Sequence, residues 1–139
     1  YDVRDAITQE LGLNASVDTN RELAYRYIYL LKDLRNAVAH NAVVFDSRFK
    51  KFKPSPAMAQ CINLEIGLPY THFDKIDDYI ILVSYYLKML KVSKTEIKTF
   101  IRSFENIVDE YKKSVSPQVA AVVIHPDLTS RINTLKNFI

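Results

Sequence analysis

Glycine is nearly missing from this chain: only Gly12 and Gly67 occur among its 139 residues. Hairpin turns draw on glycine for positive φ, so a strand-rich fold has almost no turn material here and helices are expected instead. Cysteine is as scarce. The single Cys61 cannot form an internal disulfide and suits a reducing cytoplasm. No run of about 18 uncharged apolar residues occurs, the length a membrane-spanning helix needs, so no membrane partner is expected. The motifs of three common catalytic strategies are also missing. There is no H-E-x-x-H, no Cys/His pairing at metal-ligand spacing, no G-x-S-x-G and no glycine-rich phosphate loop. Zinc, nucleophile-elbow and P-loop mechanisms are therefore not expected, nor is a metal or cofactor.

What is present suits one domain spanning residues 1–139. That length can bury a core without disulfides or metal. The 48% apolar and 25% charged residues are ordinary proportions for a soluble globular protein. A formal net charge of +3 is too mild to name a polyanionic partner by itself. The chain begins at Tyr1 with neither Met nor a secretory apolar region, which suggests a piece of a longer protein.

Apolar periodicity lays out an all-α bundle of five or six helices. Residues 2–11 form a short helix stopped by Gly12. A long helix follows over about 21–41, with Asp18, Thr19 or Asn20 to cap it and a core stripe of Leu23, Tyr27, Leu30, Leu31, Leu34 and Val38. Residues 57–64 suit a short helix, and Gly67-Leu68-Pro69 a turn. Thr71-x-x-Asp74 resembles a capping box for the central helix, which runs to about residue 91. His72 falls in its first turn, and Asp77 and Asp78 sit at the favourable end of its dipole. Three aspartates invite a metal reading, but they form no spaced oxygen cage with a partner Glu. Ser93-Lys94-Thr95-Glu96 is a second capping box and opens an amphipathic helix through Ile97, Phe100, Ile101, Phe104, Ile107, Val108 and Tyr111, read as packing alone. Pro117 starts a short helix through Val123. His125-Pro126 marks a break, and Asp127 can cap a last helix carrying Leu128, Ile132 and Leu135.

The stretch Leu34-Arg35-Asn36-Ala37-Val38-Ala39-His40-Asn41 places a permanent cation, an amide and an imidazole near the end of the long helix. At helical pitch Asn36 and His40 are neighbours on one face, with Arg35 about 100° to the side. The core stripe lies roughly opposite. Tyr25, Ile28 and Tyr29 share the Asn36 side, so the helix is apolar on more than one face and should sit between two partners, one of them a second copy of the chain.

The order of these residues resembles the R-x4-6-H motif of HEPN ribonucleases. The full string resembles the Abi-like (abortive infection, phage resistance) branch of that superfamily. The resemblance is most specific over about residues 27–45 and extends loosely, through the helical pattern, across most of the chain. It implies a HEPN-like bundle and a homodimer in which two motifs meet across the interface in one cleft. It also implies endoribonuclease activity, toxin-like and directed at phage defence in a bacterial cytoplasm, with any antitoxin or regulator unidentified. Abi-like proteins are often longer than this chain, which again points to flanking segments and to a share of the RNA surface within them.

The residues themselves suit metal-independent cleavage of RNA. The 2′-OH of RNA is a built-in nucleophile, so no Ser, Cys or metal-bound water is required. An imidazole, whose ordinary pKa is near 6.5, can move the proton at the 2′-OH or at the leaving 5′-oxygen; His40 takes that role. Arg35 can hold the phosphate bidentately and neutralise charge growing on it. Asn36 can orient the ring or donate to a phosphate oxygen. One imidazole cannot easily serve both sides of a phosphate, which fits a composite site. The competing readings are structural: Arg35 pairs with Asp33 or another acid, and His40-Asn41 caps the helix end, where a cation is favoured. The alternative function is a non-catalytic helical module binding RNA or a protein.

Residues 45–53 are the most basic patch, with Arg48, Lys50, Lys51 and Lys53 alternating with Phe45, Phe49 and Phe52. The segment is either an RNA-binding arm, its cations on phosphates and its rings on bases, or a surface connection anchored by its phenylalanines. Pro54 and Pro56 then break the chain.

Overall fold

The helix Ile76–Met89 (α4) organises the molecule, since nine of its apolar and aromatic positions have somewhere to go. Tyr79, Ile80, Ile81, Leu82, Tyr85 and Tyr86 are buried, and Ile76, Leu87 and Met89 pack partly against the same core. A computed structural model describes residues 3–12, 16–40, 55–69, 71–73 and 75–139. Among these, α1 is Val3–Glu10, α2 Leu23–Ala39, α3 Pro56–Ile66, α5 Lys94–Ser114, α6 Pro117–Val123 and α7 Leu128–Phe138. No strand occurs among the described residues, so the fold is the expected all-α bundle. The described helices number seven against an expected five or six, because both short proline-led segments, α3 and α6, do form. Packing follows from α4's breadth: it meets α2, α5 and α7, while α2 also meets α1 and α3, α3 meets α7, and α5 meets α6.

Buried tyrosines tie these layers together by polar ends as well as by rings. The Tyr27 hydroxyl donates to the Met58 carbonyl at 2.7 Å, linking α2 to α3. That of Tyr86 donates to the Ala24 carbonyl at 3.3 Å, linking α4 to α2. Such bonds let aromatic area be buried without leaving a hydroxyl desolvated and unmatched. In the same last turn of α4, the Lys88 ammonium donates to the Phe138 carbonyl and lies 3.8 Å from that residue's ring centroid, fixing α7.

Helix ends match the capping signals only in part. Asp18 Oδ1 accepts from the backbone N–H of Glu22 at 2.7 Å and of Leu23 at 3.2 Å, so one of the three candidate caps for α2 is used. Ser93 caps α5, accepting from Glu96 N–H at 3.3 Å, and Ser116 caps α6 ahead of Pro117. Gly67 ends α3 in the left-handed region at φ 82°, as a helix-stopping glycine should. The expected Thr71-x-x-Asp74 box is different. Lys75 is the N-cap of α4, the Thr71 hydroxyl donates to the Leu68 carbonyl, and Asp74 lies outside the described residues. His72 accordingly precedes α4 and is not in its first turn. Asp127 stands at the N-cap of α7 without a side-chain cap bond; its own N–H donates to His125 Nδ1 at 3.0 Å.

Candidate functional site

Burial along α2 declines toward its C-terminal end. Leu23, Ala24, Tyr27 and Leu30 are buried, Leu31 and Leu34 are partly buried, and Val38 is 57% exposed. Val38 is therefore not the core residue its spacing suggests: the stripe continues in register after the layer it packs on has ended. Arg35 and His40 lie in this outlying part, both exposed, with Asn36 half-buried between them. His40 is the C-cap residue, and its backbone N–H donates to the Asn36 carbonyl at 3.0 Å. The cap is thus made by backbone. Neither the Arg35 guanidinium nor the His40 ring forms an ion pair among the described residues; the described ion pairs of α2 and its approach are Arg26–Glu22 and Arg21–Asp5. Pairing of Arg35 with Asp33 does not occur.

Helical geometry limits what one copy of this arrangement can do. Five residues separate Arg35 from His40, which is about 140° of rotation and about 7.5 Å of rise. Asn36 and His40 share a face, whereas Arg35 points well round toward the side of Ile28. The second apolar face is present as expected: Tyr25 is 41%, Ile28 48% and Tyr29 40% exposed. Tyr25 and Tyr29 meet edge to face at 4.7 Å between centroids, and the Lys32 ammonium sits 5.5 Å from the Tyr29 ring centroid. The patch therefore runs beside Asn36 and His40 on the same helix. Asn41 and the basic-aromatic segment with Arg48, Lys50, Lys51 and Lys53 lie outside the described residues.

The cluster that periodicity missed is buried between the first turn of α4 and α7. Asp77 and Asp78, expected to serve the helix dipole, are inaccessible and face Arg131 of α7. Arg131 Nε approaches Asp77 Oδ2 to 3.1 Å, close enough for ionic attraction although not aligned as a hydrogen bond. Its Nη2 donates to Asp78 Oδ1, and its Nη1 to the Pro69 carbonyl at 3.3 Å. Asp78 Oδ2 also accepts from the N–H groups of Phe73 at 2.9 Å and His72 at 3.2 Å. Burial, reinforced by the charge of Asp77, raises Asp78 to about 7, while Arg131 and the two backbone donors pull the other way. This cluster pins α7 and the loop before α4 to α4. A sequence signal for it existed: Arg131 stands in the apolar row of α7, one turn from both Leu128 and Leu135.

Other polar groups are placed for structure. His72 is exposed and enters the cluster through its backbone, and His125 accepts from Asp127. Burial, with Cys61 adding to it, raises the phenols of Tyr27, Tyr85 and Tyr86 far above neutrality, so they stay protonated donors. Among the described residues no group of three or more His, Cys, Asp or Glu is placed to hold a metal, and no helix is long and apolar enough to cross a membrane. No known family, curated protein or solved structure matches the chain, so the reading rests on the residues themselves.

Proposed function

We propose that the protein is a metal-independent endoribonuclease whose catalytic groups are Arg35, Asn36 and His40, with each working site drawn from two copies of the chain. One observation carries the reading: the cation and the imidazole stand exposed at the end of a rigid helix, unengaged by the described residues, where a structural motif would spend them internally. Arg35 neutralises charge on the phosphate, Asn36 orients or donates, and His40 moves the proton at the 2′-OH or the leaving oxygen. The angular separation of Arg35 and His40 on one helix supports a composite site, in which the arginine of one copy meets the histidine of the other. The resemblance to Abi-like HEPN proteins extends the proposal to a toxin-like role in phage defence within a bacterial cytoplasm, and to Arg48, Lys50, Lys51 and Lys53 as RNA contacts.

The test is incubation of the purified protein with RNA in excess EDTA, wild type beside His40→Ala. Cleavage should survive chelation, leave 2′,3′-cyclic phosphate ends, and fall by about 10²–10⁴ in the variant, the usual contribution of a general acid–base group. Activity that vanishes with EDTA, or that His40→Ala leaves unchanged, overturns the assignment. Binding of RNA or protein without cleavage would establish the non-catalytic module instead.

A further inference from the structure

The helix α5 carries, along one edge, a row of cations that its own physics does not favour; Lys94 and Arg102 are exposed and Lys98 is half-buried. Lys94, Lys98 and Arg102 succeed one another at four-residue spacing, so they line one edge of the helix over about 12 Å. Like charges at this spacing repel along a helix. Lys94 is also the first residue of α5, where the helix dipole disfavours a cation. Just before it, Lys91 ends α4 in the left-handed region at φ 61°, a position that suits glycine. Its N–H donates to the Lys88 carbonyl at 2.9 Å and that of Val92 to the Leu87 carbonyl at 3.0 Å, so the turn is a regular helix stop with an unfavourable residue at its centre.

None of the four cations is ion-paired among the described residues. The nearby acids do not offset them. Glu96 lies about 160° round the helix from Lys98 and accepts from the Ser93 hydroxyl at 2.6 Å. Glu105, next along the same edge, is held by Lys136 of α7 at 2.6 Å. Three separate local costs, eased only at Lys91 by the C-terminal dipole of α4 and by no ion pair among the described residues, mark a surface shaped by something outside the fold.

We propose that Lys91, Lys94, Lys98 and Arg102 form a docking rail for the phosphate backbone of single-stranded RNA. The choice of RNA rests on the ribonuclease reading of α2; the demand for a polyanion does not. An anionic membrane fits less well. Leu90 is 63% exposed but adjoins only Lys91, at the start of the rail, and Ile107, 50% exposed, lies about 180° round α5 from Lys98. Ile97, Ile101, Phe104 and Val108 are committed to the core, so a bilayer would gain little of the apolar insertion that strengthens interfacial helices.

The experiment measures binding of a short fluorescent oligouridine across a salt series, with all proteins in the His40→Ala background so that the RNA stays intact. Lys94→Gln/Lys98→Gln/Arg102→Gln should weaken binding and lower the slope of log K against log salt by about 2, at about 0.7 per phosphate contact on a single strand. Lys112→Gln/Lys113→Gln, at the far end of α5, should leave the slope nearly unchanged. Since the triple variant removes repulsion, its melting temperature should hold or rise, and Lys91→Gly should raise it while weakening binding. No binding by the parent protein, an unchanged slope in the triple variant, or an equal loss in the control pair overturns the rail. So does rail-dependent binding to phosphatidylserine vesicles that exceeds binding to the RNA. Absence of cleavage by wild type alongside rail-dependent binding would remove the ribonuclease reading alone; cleavage with rail-independent binding would remove the rail alone.

Discussion

Arg131 occupies a core position of α7 only because two carboxylates meet it there. One guanidinium facing Asp77 and Asp78 leaves the cluster a negative charge in excess where water is excluded, a setting that favours retention of a proton. Burial and Asp77 hold Asp78 at about 7 in the fold against an ordinary 3.8. The folded state therefore binds a proton that the unfolded chain releases. Its contribution is neutral below about pH 4; stability then declines as pH climbs through about 7, at a slope approaching about 1.4 kcal/mol per pH unit, and levels off above. Urea unfolding between about pH 5 and about pH 8 should show this decline in wild type and a nearly flat profile in Asp78→Asn. The slope is the readout, whatever the variant does to absolute stability. An equally steep profile in Asp78→Asn would place the proton elsewhere.

The long helix α2 is anchored at its N-terminal end and open at the other. Asp18 alone satisfies two of its first N–H groups, at Glu22 and Leu23, so Asp18→Ala should cost about 1 kcal/mol, within the usual range of about 0.5–2 for a lost cap. Denaturant unfolding checks this; a midpoint within error of wild type would show that the cap carries no load. The cap was legible because Asp before an apolar-periodic run is a local signal, and α5 was legible for the same reason: period, capping Ser93 and compensating Glu96 agree. Ile107 shows the limit, 50% exposed although its spacing fits the stripe, because it falls at the stripe's edge. Val38 shows another: periodicity says which face of a helix is apolar, not where the layer beneath it stops. The Asp77–Asp78–Arg131 cluster joins residues 53 positions apart, and no local pattern reports which buried charge meets which. The motif at Arg35, Asn36 and His40 was read as polar groups turned from the core, and the exposure of Arg35 and His40 follows that reading, while Asn36 is half-buried.

At the scale of the whole molecule, the apolar face of α2 has a use only if something covers part of it. Leu23, Tyr27 and Leu30 already fill the core side, while Tyr25, Ile28 and Tyr29 expose a second apolar strip next to the proposed catalytic residues. Contiguous exposed apolar surface is a common mark of an interface. A twin subunit placed there about a two-fold axis would bring two copies of the motif together, since a symmetric interface repeats each contact. Tyr29→Glu puts a charge into that strip and should favour monomers and lower cleavage without loss of helical signal. Because each cleft would take Arg35 from one chain and His40 from the other, mixing Arg35→Ala with His40→Ala subunits should restore activity above the mean of the two alone: every hybrid dimer keeps one complete site. Sedimentation of wild type and Tyr29→Glu, run beside the RNA assay on the mixed variants, decides the matter. A wild type that cleaves RNA while sedimenting as a monomer removes the composite site even if His40 proves essential, and leaves Arg35 to reach round its own helix to the same phosphate.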